Sequence, residues 1–158
     1  MLKLLYFAER EALAEYGSSI TGSTFSSLEH GPVSSDVYSL IQGTLVWDRW
    51  SCYLENDGPV VCLKREPSND HLCEADEELI RKHWDAHAGT FDPSAFPKAL
   101  VAYSHTLPEW KKPPAQGSIP ILQRSVWAAQ GVSSKNMDTF ELWDDAAMSL
   151  HRRGESNA

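Results

Sequence analysis

The stretch Leu2-Lys3-Leu4-Leu5-Tyr6-Phe7-Ala8-Glu9-Arg10-Glu11-Ala12-Leu13-Ala14-Glu15-Tyr16-Gly17 decides how the chain is read. It contains only good or tolerable helix formers, and Leu2, Leu5, Tyr6, Leu13 and Tyr16 recur near the 3.6-residue period. Glu9, Arg10, Glu11 and Glu15 fall largely on the other faces. Gly17 follows the last periodic residue, where a left-handed cap carries no Cβ penalty. The first expectation is therefore a helix over 2–16 that stops at 17.

Downstream, the Ser/Thr/Gly-rich residues 18–27 predict a turn leading into a short extended segment around Thr24 to Leu28. At His30-Gly31-Pro32-Val33 the chain must bend, because the proline ring pushes Gly31 out of the right-handed helical region. Ser34 or Ser35 can cap a second helix over 35–42, with Val37, Leu40 and Ile41 at i, i+3 and i+4 and Gly43 as terminator. Residues 50–65 predict a hairpin with Asp57-Gly58 as a two-residue loop. That register places Trp50, Cys52, Leu54, Val61 and Leu63 on one face.

Glu74 to His87 predicts a third helix, acidic in its first turn and basic later, with Leu79, Ile80, Trp84 and His87 inward. Asp92-Pro93-Ser94 starts another, running to about His105 with Phe96, Leu100 and Tyr103 as apolar contacts. The proline-rich residues 107–119 predict a loop, followed by a helix over 121–130. Ser133 or Ser134 caps a last helix to about Leu150, with Phe140, Trp143, Ala147 and Leu150 inward. The sum is a mainly α (α+β) fold, a helical domain of about five to six helices with a small antiparallel β-sheet or hairpin. It occupies residues 1–153 as a single domain, and Gly154 to Ala158 form a disordered tail.

Composition narrows the function. At 158 residues the chain can bury one sizeable core, roughly 70% of its unfolded surface. Its 14 Lys and Arg against 22 Asp and Glu give a net charge of −8, which disfavours a stand-alone nucleic-acid binder. Three cysteines, no apolar run of membrane-spanning length and no signal-peptide pattern predict a soluble protein of a reducing cytoplasm, with no membrane association.

Chemistry-bearing patterns are few. His83 and His87 at i and i+4 have zinc-binding spacing but lack the glutamate of a metalloprotease and any identified third ligand. Cys52, Cys62, His71 and Cys73 lack the knuckle spacing of a zinc ribbon. There is no phosphate loop and no nucleophile elbow. The expectation is a protein that is not an enzyme and uses no cofactor and no metal. Six tryptophans remain to be placed. Trp84, Trp127 and Trp143 sit on apolar helix stripes and are expected in the core. Trp47, Trp50 and Trp110 lie beside turns, where core-edge packing competes with a partner interface.

Lys3 to Leu13, then Tyr16-Gly17, Ile20-Thr21-Gly22, His30-Gly31-Pro32-Val33 and Tyr38 resemble the Panacea, or SocA-like, antitoxin domain. The likeness is strongest over 2–41. It continues more weakly through Leu72-Cys73-Glu74, Ser104-His105 and Pro108-Glu109-Trp110. The family usually carries residues before this first helix, which implies a helix shortened at its start or a misassigned start site. Cys73 stands where a capping serine is common.

The resemblance implies a mostly helical domain that neutralises a co-encoded protein toxin by direct binding, without catalysis. Some members are phage-associated or mobile-element proteins, and an adaptor that delivers its bound protein to a protease is the alternative. The motif residues Tyr6, Glu9, Arg10, Tyr16, His30, Gly31, Pro32, Val33 and Tyr38, with Trp47, Trp50 and Trp110, form the candidate toxin interface. For His30–Val33 the competing reading is a shaped turn in which His30 is hydrogen-bonded. A basic toxin would be drawn to the −8 chain, an attraction that added salt would suppress.

Overall fold

A computed structural model describes residues 1–57, 60–68, 72–88 and 96–143. The expectations for Gly58, His71, Gly89, Asp92-Pro93-Ser94, Ala147, Leu150 and the tail 154–158 lie outside the described residues.

Helix α1 (Leu2–Tyr16) forms as expected and stops at Gly17, which takes φ 77° and returns its N–H to Leu13 O. Strands β1 (Phe25–Leu28) and β2 (Gly31–Ser34) make a tight antiparallel hairpin, Phe25↔Ser34 to Leu28↔Gly31, whose two-residue turn is Glu29-His30. Helix α2 (Ser35–Gln42) follows directly and closes on Gly43. Next come α3 (Asp48–Tyr53), β3 (Leu54–Asp57), β4 (Val60–Leu63), α4 (Glu74–Ala88) and α5 (Phe96–Ser104). The chain then forms β5 (Ile119–Ile121), α6 (Gln123–Ala129) and a helix α7 over 134–143. Strands β2, β1 and β5 form one antiparallel sheet in that order, and β3 and β4 form another.

All of the expected helices are present, and α3 is additional. It occupies the place expected for the first hairpin strand, so Trp50 and Cys52 are helical. The alternation of apolar residues 50, 52 and 54 proved compatible with one turn of helix followed by a strand. The register also differs: Leu54 pairs with Leu63 and Asp57 with Val60, so the connection is 58–59 instead of 57–58. The shift is two residues, so Leu54, Val61 and Leu63 still share a face. Asn56 Nδ2 ties this hairpin to α2 by donating to Leu40 O at 3.2 Å and Ile41 O at 2.8 Å, satisfying carbonyls of the last helical turn.

The core is built around α1. One side of it, with Leu4, Tyr6, Phe7 and Leu13, packs on Phe25, Leu100, Leu107, Ile121, Val126, Trp127 and Met137. Another side packs on α4: Ala8 and Ala12 meet Leu79, with Ile20 and Ile80 partly covering the contact, and Phe7 lies against the rings of His83 and His87. Two small residues at i and i+4 allow the helices to approach closely. Trp84 lies outside this contact and is 57% exposed, contrary to the expected core position. Trp143 is exposed as well, its ring tilted against Phe140 at 5.7 Å between centroids, and Tyr16 and Tyr103 are also exposed. Trp127 is fully buried as expected and donates its indole N–H to Leu13 O at 2.9 Å.

Gly31 fixes where the sheet meets the helices. It holds φ 96°, and a Cβ there would collide with Ser104 Oγ at the end of α5. Gly22, also at positive φ (66°), faces open space. Gly31→Ala is expected to cost more than about 3 kcal/mol in urea unfolding, combining backbone strain with overpacking, against about 1 kcal/mol for Gly22→Ala. Equal losses at the two sites would show that the Ser104 contact contributes nothing.

Candidate binding groove

The polar residues of α1 range from buried (Tyr6, Glu9) through half-buried (Lys3, Arg10, Glu11) to exposed (Glu15, Tyr16). Glu9, expected on an outer face, is fully buried. Its Oε2 accepts from Ile20 N–H at 2.7 Å, and its Oε1 accepts from Thr21 N–H at 3.1 Å and from the Thr21 hydroxyl. Burial raises its pKa, opposed by these hydrogen bonds. Glu9 is thus a clamp on the turn after α1, which explains why Ile20-Thr21-Gly22 accompanies it in sequence.

Arg10 and Tyr6 meet Glu109 from the far end of the chain. Arg10 Nε lies 2.7 Å from Glu109 Oε1, and Tyr6 OH donates to the same oxygen at 3.2 Å. Arg10 Nη1 donates to Gln130 Oε1 at 3.1 Å, and Gln130 Nε2 returns a bond to Arg10 O. Burial, with the Glu109 charge behind it, pushes the Tyr6 phenol far above its ordinary range. Trp110 is half-buried against the core, stacked on His105 at 4.0 Å, and donates to Leu28 O at 3.2 Å. Tyr6 and Glu9 are therefore buried fasteners, and Arg10 and Trp110 are half-buried ones engaged in bonds within the fold.

Glu11 bonds Lys82 and, at 2.8 Å through Oε2, His83 Nε2. Burial works against ionisation of Glu11, but Lys82 and His83 outweigh it and hold its pKa below the usual value. Burial lowers the His83 pKa despite Glu11. His87 stacks parallel to His83 at 6.4 Å. Among the described residues no group of three or more His, Cys, Asp or Glu side chains could hold a metal ion. Cys52, Cys62 and Cys73 are exposed free thiols. Cys73, at the position of the missing cap serine, still has its N–H bonded to Asp76 Oδ2 at 3.4 Å, the reciprocal half of a capping box.

The remaining motif residues converge on a surface groove. His30, Gly31, Val33 and Tyr38 line a cleft of about 400 Å³ together with Leu2, Lys3, Leu28, Glu29, Gln116 and Gly117. Pro32 is buried behind it, and its carbonyl accepts from Lys3 Nζ at 2.7 Å. His30 is exposed at the turn tip, so the shaped-turn reading holds for Gly31 and Pro32, while His30 itself faces outward. A second cleft of about 450 Å³ shares Leu2 and Lys3 with the first and is otherwise lined by Met1, Ile41, Val60, Val61, Pro97, Leu100 and Val101. Trp47 and Trp50 stand apart, in a cleft of about 580 Å³ against Arg49, Tyr53, Leu63 and Arg65.

Lys3 and Gln116 were not singled out by sequence reasoning. Lys3 had a signal: a lysine in the first turn of a helix opposes the macrodipole and calls for another role. Gln116 had none, because its positive φ of 58° shows only in the folded backbone.

Arg10 is the least replaceable of the fasteners, since its loss leaves the fully buried Glu109 side chain charged with only Tyr6 beside it. Arg10→Met is expected to lower stability in urea unfolding by about 3 kcal/mol, and Arg10→Met with Glu109→Leu to recover part of that. A double variant no more stable than the single one would show that the loss is not an unpaired-charge effect.

Among the described residues no helix is long and apolar enough to cross a membrane. No curated protein and no solved structure matches the sequence. The family model described as "Antitoxin SocA-like, Panacea domain" matches residues 1–111, a span that holds both the interior fasteners contributed by α1 and most of the groove. The chain belongs to the SocA-like Panacea antitoxin domain family.

Proposed function

We propose that this chain is the antitoxin of a toxin–antitoxin pair and neutralises a co-encoded protein toxin by covering part of its surface, without bond chemistry. The observation that carries this reading is the family match over residues 1–111. The division of labour within that span supports it. Tyr6, Glu9 and Arg10 are committed to holding the fold, whereas Lys3, His30 and Tyr38 line a cleft whose floor is apolar. An apolar cleft edged by a few polar groups suits recognition of another chain. The polar side chains around Glu11 are already engaged with one another, which favours a structural role for them.

The reading is tested in cells. The neighbouring reading frame is expressed alone and together with this chain, and colony survival is counted. Lethality alone and survival together are expected, with the two products copurifying. Survival without copurification, or continued lethality on co-expression, would contradict neutralisation by direct binding. A fall in toxin half-life that requires a protease would mark the chain as a delivery adaptor instead.

A further inference from the structure

We infer that the groove beside the β1–β2 turn seats an extended segment of the partner protein, with one acidic side chain of that segment on Lys3 and apolar residues to either side. The source of the segment rests on the antitoxin reading, and its chemistry rests on the geometry.

Lys3 is a half-buried cation whose ammonium makes one hydrogen bond, to Pro32 O, and no ion pair among the described residues. Burial alone accounts for the fall of its pKa to about 8. The cations Arg10, Lys82 and Arg124 each lie on a carboxylate. A buried charge lacking its counter-charge is costly unless something supplies one, and a carboxylate entering the groove would do so. Three further polar side chains, of His30, Tyr38 and Gln116, line the same groove over a floor of Leu2, Leu28 and Val33.

The shape selects which carboxylate. Clefts of about 400 and 450 Å³ meet at Leu2 and Lys3, which line both, and have otherwise different linings. A segment can therefore continue on both sides of the ammonium, which fits an internal aspartate or glutamate better than a chain end. The second cleft is lined by Ile41, Val61, Pro97, Leu100 and Val101, so the flanking residues are apolar. The net charge of −8 and Glu29 on the groove wall argue the same way, because they repel an acidic run and tolerate one carboxylate brought to Lys3. Gln116 and Gly117 lie beyond the family-matched span, so one wall of the groove is free to set partner choice within the family.

The full chain is immobilised and panned against a displayed library of random nonapeptides, and recovered peptides are remade and titrated against the wild type, Lys3→Met and Tyr38→Ala. The recovered peptides are expected to share one Asp or Glu between apolar residues. Replacing that residue by Asn or Gln should weaken binding roughly tenfold to a hundredfold. Lys3→Met should weaken binding by a similar factor and be indifferent to the peptide change, whereas Tyr38→Ala should weaken binding and keep the sensitivity.

The peptide substitution leaves the protein untouched, so the result stands even if Lys3→Met folds poorly. In that case carbon-13-labelled lysine supplies the second readout. The Lys3 amine should titrate above about 8 with the acidic peptide bound and unchanged with its amide counterpart. Recovery of no peptide, of peptides lacking an acidic residue, or of peptides bound equally by Lys3→Met would overturn the inference. Survival on co-expression with such a result removes the groove and keeps the antitoxin. Acidic-peptide binding without survival does the reverse.

Discussion

Burial of α1 between two unlike partners is the constraint on which the rest of the structure depends. Its large residues fill the space under β1, α5 and α6, while Ala8 and Ala12 bring α4 close on another side. A helix enclosed on these sides takes Tyr6, Glu9 and Arg10 out of bulk solvent, so they become fasteners, while Glu15 near its end stays exposed. Glu9 clamps the turn at 20–21, Arg10 and Tyr6 bind Glu109, and Trp127 reaches the Leu13 carbonyl. The bonds to Glu109 and from Trp127 bridge 99 to 114 residues of sequence and tie late elements to the first helix, while those of Glu9 hold the turn that follows it.

What could be read in advance followed from local chemistry. Helices α1, α2 and α4 were legible because period, caps and terminating glycines agree there, as they do at Gly17 and Gly43. Strand β2 was hidden by Pro32, and β5 by Pro120, since proline argues against a strand unless that strand lies at a sheet edge, as both do. The additional helix α3 escaped notice because six residues carry too little periodicity to separate one helical turn from an alternating strand. Glu9 was misplaced because a charged residue is assigned outward by default. Only the donors at Ile20 and Thr21 show why it is inside.

The candidate site was legible in part for the same reason. His30, Gly31, Val33 and Tyr38 were marked together and do share a groove, because they are close in sequence and the hairpin keeps them so. Tyr6, Arg10 and Trp110 were marked with them but point into the interior, and no local pattern reveals that Glu109 awaits the first two. Trp47 and Trp50 line another cleft beside Arg49 and Arg65, and Trp50 also borders a cleft with Leu4 and Leu5 of α1. The family resemblance thus identified residues that matter without separating those that hold the fold from those that face outward. Burial and hydrogen bonding make that separation.

A partner seated in the groove at the start of α1 and the β1–β2 turn would shield the backbone there. Amide hydrogen exchange of the chain, free and bound to the product of the neighbouring reading frame, should then show added protection around residues 28–33, 38 and 116–117, with the Trp47–Trp50 face unchanged. Protection confined to α3, β3 and β4, or to the exposed side of α4 around Trp84, would contradict it.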